Sequence, residues 1–177
     1  MARLAAGAPR WTYTGGPMLL KETLLLRAIG LARIPFLLAL RPRVERLDDE
    51  GADVVVPLGY FTRNHIGAMY VGALAAGADC AAGLCAVRSI LGLRGASAHR
   101  RVVPLFKSLR AEFHRRADGD VRFSCDDGRG VREAVERADR DGERVTLPVR
   151  VAAHLAARHG DAPVATFELE LSLKRKE

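Results

Sequence analysis

Residues 63–88 read RNHIGAMYVGALAAGADCAAGLCAVR. Between the two terminal arginines Asp79 is the single formally charged side chain, and the rest are mostly Ala and Gly with no proline. A helix that is apolar on every side is normally enclosed by the rest of its protein. The stretch therefore predicts a long buried helix that follows a loop over residues 59–65 and ends near Gly92 to Gly95. An acid inside such a helix is costly unless it is partnered or faces a cavity.

The sequence leaves three interpretations of this stretch open. About twenty uncharged residues match the length of a membrane span, but the Ala/Gly composition and the central Asp disfavour insertion. A structural helix in which Asp79 meets a buried arginine is the second interpretation, since structural ion pairs also perturb acids. The third, which we favour, makes Asp79 the acid of a ligand site.

Composition limits the class of protein. The 177 residues suffice for one domain with a sizeable core, and 49% hydrophobic residues argue against general disorder. The net charge is +7, with 24 arginines and four lysines, which favours anionic partners. These cations are scattered, and no nucleic-acid-binding signature appears, so we expect no nucleic-acid partner.

The cysteines and the N-terminus indicate the compartment. Cys80, Cys85 and Cys125 form an odd set without C-x-x-C spacing, which suggests a reducing compartment and no disulfide framework. Residues 1–10 contain no apolar signal-peptide core. We therefore expect a cytoplasmic location.

The chain order predicts three parts. Residues 1–17 are expected to be a flexible arm, and residues 18–40 a helical segment that Pro35 kinks or splits. Residues 41–177 hold the main domain. The helical segment is basic and apolar, so a membrane-surface role is an alternative to packing on the domain, although membrane association is not our expectation.

The main domain follows a strand pattern around the long helix. Residues 43–47 and 52–58 predict two strands joined by the turn Asp48-Asp49-Glu50-Gly51. After the helix, period-two patterns cover residues 105–113, 121–125, 145–153 and 165–173, with a short amphipathic helix at 130–140. Short connections favour antiparallel pairing. The predicted class is α+β: an antiparallel sheet wrapped around one long central helix, with an extra N-terminal helix. Its free edge suggests a homodimer or homotetramer.

This arrangement resembles the hotdog fold, and more closely the thioesterase-like family related to PaaI-type acyl-CoA thioesterases. The family pattern is Asn-x-x-Gly-x-x-His-Gly-Gly followed, after six residues, by a catalytic Asp. Asn64, Gly67 and Gly72 match it, and Asp79 stands at the catalytic position. Tyr70 replaces the family His, and Val71 replaces the first glycine of the pair.

The resemblance implies acyl thioester hydrolysis. It makes Asp79 the base or nucleophile, with Asn64 orienting a water or the acyl carbonyl; helix capping is the alternative role of Asn64. The amides of Val71 and Gly72 would hold the oxyanion. Gly72 and Asp79 lie about 10 Å apart along a helix axis. In relatives of this fold the acid of one subunit completes the partner's site, which suits that distance.

Two other function classes remain open. His65 and Asp79 have the fourteen-residue spacing of the catalytic pair in 3-hydroxyacyl thioester dehydratases, which are also hotdog proteins, and Gly67 falls near the glycine of their motif. The prolines that flank that motif are absent, and His65 as an ordinary loop residue is the simplest interpretation. A non-catalytic acyl-CoA binder is the third class, because the PaaI motif is incomplete.

The substrate would be an acyl-CoA or an acyl-carrier thioester. Candidate contacts for the phosphates of coenzyme A are Arg63, Arg100, Arg101, Lys107 and Arg110, with solvated surface charge as the alternative for each. The histidines lack metal-ligand spacing, so no metal site is expected. No cofactor is expected beyond the coenzyme A moiety of the substrate.

Overall fold

The computed structural model describes residues 18–157 and 162–176. The helices are α1 (Leu20–Arg33), α2 (Phe36–Leu40), α3 (Val71–Leu91) and α4 (Gly128–Asp141), with a 3₁₀ turn at Leu93–Gly95. The strands are β1 (Arg43–Leu47), β2 (Ala52–Val56), β3 (Val102–Phe113), β4 (Val121–Cys125), β5 (Val145–Leu155) and β6 (Ala165–Arg175). The arm expected over residues 1–17 lies outside the described residues.

One antiparallel sheet contains the six strands found among the described residues, in the order β1-β2-β4-β5-β6-β3. The two edges are therefore β1 and β3. On β6 the inward residues Phe167, Leu169 and Leu171 are at most 3% exposed, and the residues between them are mostly polar. The alternating pattern of residues 165–173 thus confirms the predicted strand.

The central helix α3 crosses one face of the sheet and contacts all six strands. Small residues allow this close approach. A Cβ atom added at Gly77 would lie 2.3 Å from the ring of Phe123, which is fully buried on β4. By length and composition α3 is long and apolar enough to cross a membrane, yet most of its apolar stretch is buried inside this fold. It is the core helix of a hotdog fold.

The helix begins later than the sequence pattern predicts. We expected it to start directly after His65, but α3 starts at Val71. The intervening residues form a turn in which the backbone N–H of Asn64 donates to the Ala68 carbonyl at 2.7 Å. Gly67 has φ +74°, which favours glycine and which a continuous helix does not allow. The apolar composition therefore extends beyond the helix proper.

The enclosure of α3 is also incomplete. Gly72, Ala76, Asp79, Gly83 and Val87 are only partly buried and recur at helical spacing. We call this stripe the open face of α3. The expectation of a helix enclosed on every side is wrong for this face within one copy of the chain.

The N-terminal segment forms a helix pair, as the sequence predicts. Pro35 separates α1 from α2. The pair packs beside the β1 edge, where the Thr23 hydroxyl accepts a hydrogen bond from the Val44 N–H at 2.9 Å. The connector α4 packs against α3, β5 and β6 through Val131, Ala134, Val135 and Ala138.

Candidate active site

The N-terminus of α3 presents backbone amides without acceptors. Tyr70 precedes the helix in an extended conformation (φ −67°, ψ 143°), and its side chain makes no capping bond. The first helical bond runs from the Leu74 N–H to the Tyr70 carbonyl at 3.0 Å. No described residue accepts from the N–H groups of Val71, Gly72 and Ala73. Together with the positive end of the helix dipole, these amides suit a developing negative charge.

The loop before α3 fixes the position of this helix start. The Tyr70 N–H donates to the Thr62 carbonyl at 2.7 Å, and Arg63 pairs with Met69 in an isolated β-bridge. The Thr62 hydroxyl donates to the Pro57 carbonyl at 2.7 Å and accepts from the Gly59 N–H at 2.8 Å. Thr62 is buried. Sequence reasoning missed its positioning role, because nothing distinguishes Thr62 from other loop threonines.

The side chain of Asn64 is committed to this loop. Its Oδ1 accepts from the N–H groups of Ile66 and Ala68, each at 3.1 Å. These bonds make a local turn of the kind Asn favours. Asn64 is therefore not the cap of α3, which begins after Tyr70. Its Nδ2 amide is the group left to contact a ligand.

Asp79 lies on the open face of α3, about two turns beyond Gly72. Its carboxyl makes no hydrogen bond or ion pair with any described residue. Burial raises the pKa of Asp79 because the surroundings disfavour the charged form. Burial, and next the charge of Asp79, also raise the pKa of the neighbouring Cys80 thiol. The buried arginine Arg88 pairs with Asp49 at 2.9 Å and not with Asp79.

Tyr70 and Gly72 form one unit at the helix start. A Cβ atom at Gly72 would lie 2.7 Å from Cε1 of Tyr70, so the tyrosine ring lies against the backbone of the first turn. Phe61, Ile66 and Val71 are exposed in the same loop and turn. The helix start and the loop before it thus expose several apolar side chains, which suits an acyl group.

The remaining residues that the sequence predicts for the site do not form one cluster with the helix start. His65 is exposed in the Asn64 turn, and no described residue hydrogen-bonds its side chain. The guanidinium of Arg63 lies 5.7 Å from the centre of the Tyr60 ring. Arg100 and Arg101 precede β3, beside the C-terminal end of α3, where the His99 N–H donates to Ile90.

The two phosphate candidates on β3 carry ion pairs of their own. Lys107 lies 3.6 Å from Glu170, and Arg110 lies 3.4 Å from Glu112. Arg110 is opposite Glu168 in the β3–β6 register, on the sheet face away from α3. That face has a groove of about 550 Å³, lined in part by Arg110, Glu112, Arg150 and Glu168. Among residues 18–157 and 162–176 no group of three His, Cys, Asp or Glu side chains could hold a metal ion.

Comparison with solved structures identifies the fold class. A protein of unknown function from Pseudomonas aeruginosa, described as a probable thioesterase, has TM-score 0.64 and 22% identity over 92% of this chain and 100% of its own. A protein of unknown function from Chlorobaculum tepidum has TM-score 0.69 and 13% identity over 92% and 100%. A mutant thioesterase from Pseudomonas aeruginosa has TM-score 0.59 and 16% identity over 87% and 94%.

These likenesses, with the antiparallel sheet around α3, place the chain in the hotdog-fold class. Within that class the chain belongs to the family described as domain of unknown function DUF4442, whose model matches residues 22–171. The fold and the family resemblance predicted from the sequence are confirmed. No protein with a curated description matches the chain.

Proposed function

We propose that this protein hydrolyses acyl thioesters. The observation that carries the proposal is the carboxyl of Asp79, which lies on the open face of α3 without a partner among the described residues and has a raised pKa. A raised pKa moves a carboxylate toward the range in which it is an effective general base. The structural neighbours described as thioesterases support the same reaction class.

In the proposed reaction the Asp79 carboxylate takes a proton from a water as the water oxygen attacks the thioester carbonyl carbon. The carbonyl oxygen becomes an oxyanion, for which the N–H groups of Val71 and Gly72 are the proposed donors. The C–S bond then breaks, and the leaving thiolate receives the proton from Asp79. The products are a carboxylic acid and a free thiol. Tyr70 and the Asn64 amide would line the acyl site.

The proposed site is shared between two copies of the chain. Val71 and Gly72 lie about 10 Å or more along the α3 axis from Asp79, which exceeds the reach of a carboxylate through one water. A second copy would bring its own helix start to the Asp79 of the first. The uncovered face of α3 and the free β3 edge offer the surfaces for such a dimer. We propose an acyl-CoA or acyl-carrier substrate, and Arg63, Arg100 and Arg101 as phosphate contacts.

The first experiment measures free-thiol release from a panel of acyl-CoA esters. Asp79→Asn should lower kcat about 100-fold or more, as general-base removal typically does. The matched control is Asp141→Asn at the end of α4, which removes an exposed carboxyl paired with Arg140 at 3.0 Å and should leave the rate within about twofold. Equal rates for wild type and Asp79→Asn would exclude the role of Asp79.

Release of no thiol from any ester would instead favour dehydration or acyl-CoA binding without catalysis. Adding 3-hydroxyacyl and enoyl thioesters, followed at the enoyl absorbance, separates those two. A dehydratase would change the absorbance and lose that change in His65→Ala. A non-catalytic binder would leave the enoyl absorbance unchanged and would still retain acyl-CoA in equilibrium dialysis.

A second variant tests the oxyanion donors and the shared site. Val71→Pro removes one N–H, while proline is favoured at the first helical position and Tyr70 already has the extended conformation that proline requires before it. We expect a loss of about 100-fold, and near-normal rates for Val71→Ala, which keeps the N–H. Mixing Val71→Pro with Asp79→Asn should restore about a quarter of wild-type activity through mixed dimers. No restoration, with mixed dimers present, would contradict the shared site.

A further inference from the structure

Helix α1 has one packed face and one bare face. Thr23, Leu26 and Gly30 are buried against the domain. On the opposite side Leu20, Leu24 and Leu31 are 61%, 63% and 73% exposed. A leucine that remains this exposed contributes little to the stability of the fold, because the stabilisation comes from apolar area removed from water. Three of them on one helix face call for a physical explanation.

The bare face continues into α2. Ile34, Phe36 and Leu38 are between 40% and 47% exposed, while Leu37 and Leu40 are buried. Pro35 causes this division, because it ends α1 and turns the chain back on it: a Cβ at Gly30 would lie 2.9 Å from Cβ of Leu37. Only one side of each helix can then reach the domain. Contiguous apolar patches of this kind mark interaction sites.

The charged side chains of the segment that forms α1 and α2 are almost all positive. Lys21, Arg27, Arg33 and Arg41 lie in residues 18–42, and the single acid there, Glu22, pairs with Arg94 at 3.0 Å. Exposed aliphatic side chains with Lys and Arg beside them are the composition of helices that lie in an anionic lipid interface. A second copy docking through the same patch would place these cations against one another, which disfavours self-association.

We propose that the α1–α2 pair is a docking surface for anionic lipid bilayers. The pair would lie in the plane of the interface, with its leucines and Phe36 among the acyl chains and Lys21 and Arg33 at the headgroups. This inference departs from the expectation from sequence that membrane association is absent, and it does not depend on the proposed thioesterase activity.

The docked protein would keep its candidate active site near the membrane. Arg43, three residues after α2, pairs with Asp120 at 3.2 Å, and the other oxygen of Asp120 accepts from the Leu58 N–H at 2.9 Å. The end of the helix pair and the loop that leads to α3 therefore meet at one end of the sheet. Hydrophobic acyl thioesters concentrated in a bilayer would lie close to that loop.

The test is co-sedimentation of the full-length protein with phosphatidylcholine vesicles that contain about one third phosphatidylglycerol. We expect binding at low salt, weakened by raising the salt and by omitting the anionic lipid, with about a fivefold loss for each cation removed. Leu24→Gln/Leu31→Gln should weaken binding at least about tenfold. Glutamine preserves helix propensity, so circular dichroism and the urea midpoint should remain unchanged.

Two matched controls distinguish vesicle binding through the α1–α2 pair from nonspecific adsorption of the protein to vesicles. Leu105→Gln removes a leucine that is 62% exposed on β3, at the sheet edge opposite β1, and should bind vesicles as wild type does. Arg137→Glu on α4 matches the charge change of Lys21→Glu at another exposed helical position, and only Lys21→Glu should weaken binding.

Absence of wild-type binding to anionic vesicles would overturn the proposal. Equal binding by the double leucine variant and wild type would overturn it as well. A fall in molar mass in the double variant without any vesicle binding would show that the patch joins copies of the chain.

Discussion

The sheet side and the open face of α3 both contain small residues, but the physical reason for the small residues differs between them. On the sheet side Ala73, Gly77 and Ala81 are buried, and Gly77 is required because the Phe123 ring occupies the space of a side chain. On the open face the nearest atom to a Cβ at Gly83 is in the Phe106 ring at 3.9 Å, an ordinary contact. On the sheet side the fold within one copy requires the small residue at Gly77, whereas at Gly83 on the open face one copy places no such requirement.

This difference separates residues that specify the structure from residues available for function. The open face contains Asp79, which costs stability where it stands because burial disfavours its charge. A structural role does not account for it, since no described residue pairs with it. The small residues around Asp79 leave space for a substrate or for the second copy that the proposed site requires.

The largest effect is expected from Gly77→Ala on the sheet side. The new methyl carbon would overlap the Phe123 ring at 2.3 Å, and Phe123 is fully buried, so the ring must leave its position. Overpacking of this kind costs about 3 kcal/mol of unfolding free energy. Urea denaturation measures it.

Gly130→Ala in α4 is the control for Gly77→Ala. Apart from its chain neighbours and the nearby backbone of α4 itself, no atom lies within 4 Å of a Cβ there, so the same substitution should stabilise by about 0.5–1 kcal/mol through helix propensity. If Gly77→Ala were as well tolerated as Gly130→Ala, the sheet side would not be close-packed, and the contrast between the two faces would fail.

The next effect is the pH dependence of stability at Asp79. Because its pKa is raised in the folded state, the cost of its charge is absent below the ordinary Asp pKa and complete above the folded-state pKa. Asp79→Asn should therefore become progressively more stable than wild type as the pH rises through that window. Each unit of pKa difference corresponds to about 1.4 kcal/mol.

Urea titrations of both proteins from pH 4 to pH 8 at one protein concentration give the difference directly. Other carboxylates contribute equally to both proteins and cancel. A difference that shrinks or reverses as the pH rises would mean that a cation reaches Asp79, most simply from a second copy, and would place the open face inside an interface.

The sequence predicts the structural features that depend on local chemistry. The apolar length of α3, the helix break at Pro35 and the alternating strand over residues 165–173 each follow from composition or periodicity, and the structure contains all three. The predicted start of α3, directly after His65, was too early. Small apolar residues continue upstream of Val71, but the Asn64 side chain and the positive φ of Gly67 hold that segment in a turn.

Other features depend on contacts between residues far apart in the chain and could not be predicted from the sequence. The bare leucines of α1 cannot be distinguished from its packed ones by pattern, because both fall at helical spacings. On β3 the register shift between Phe106 and Ser108 interrupts the alternation, and Leu105 and Leu109 remain exposed because β3 is an edge strand. Which face holds Asp79 was equally undetermined until the sheet positions were known.

The smallest effect is expected on the open face itself. Gly83→Ala adds a methyl group at ordinary contact distance from Phe106, and replacing a helical glycine stabilises by about 0.5–1 kcal/mol. Urea denaturation over a hundredfold range of protein concentration, with sedimentation equilibrium at the same concentrations, tests this. A higher free energy of unfolding at every protein concentration would place the interface between copies away from Gly83, toward the β3 edge. A higher free energy of unfolding only in dilute protein, with weaker association, would show that the second copy packs on the open face beside Asp79. A lower free energy of unfolding in dilute protein would contradict the free space found around a Cβ at Gly83, and the two faces of α3 would then no longer differ.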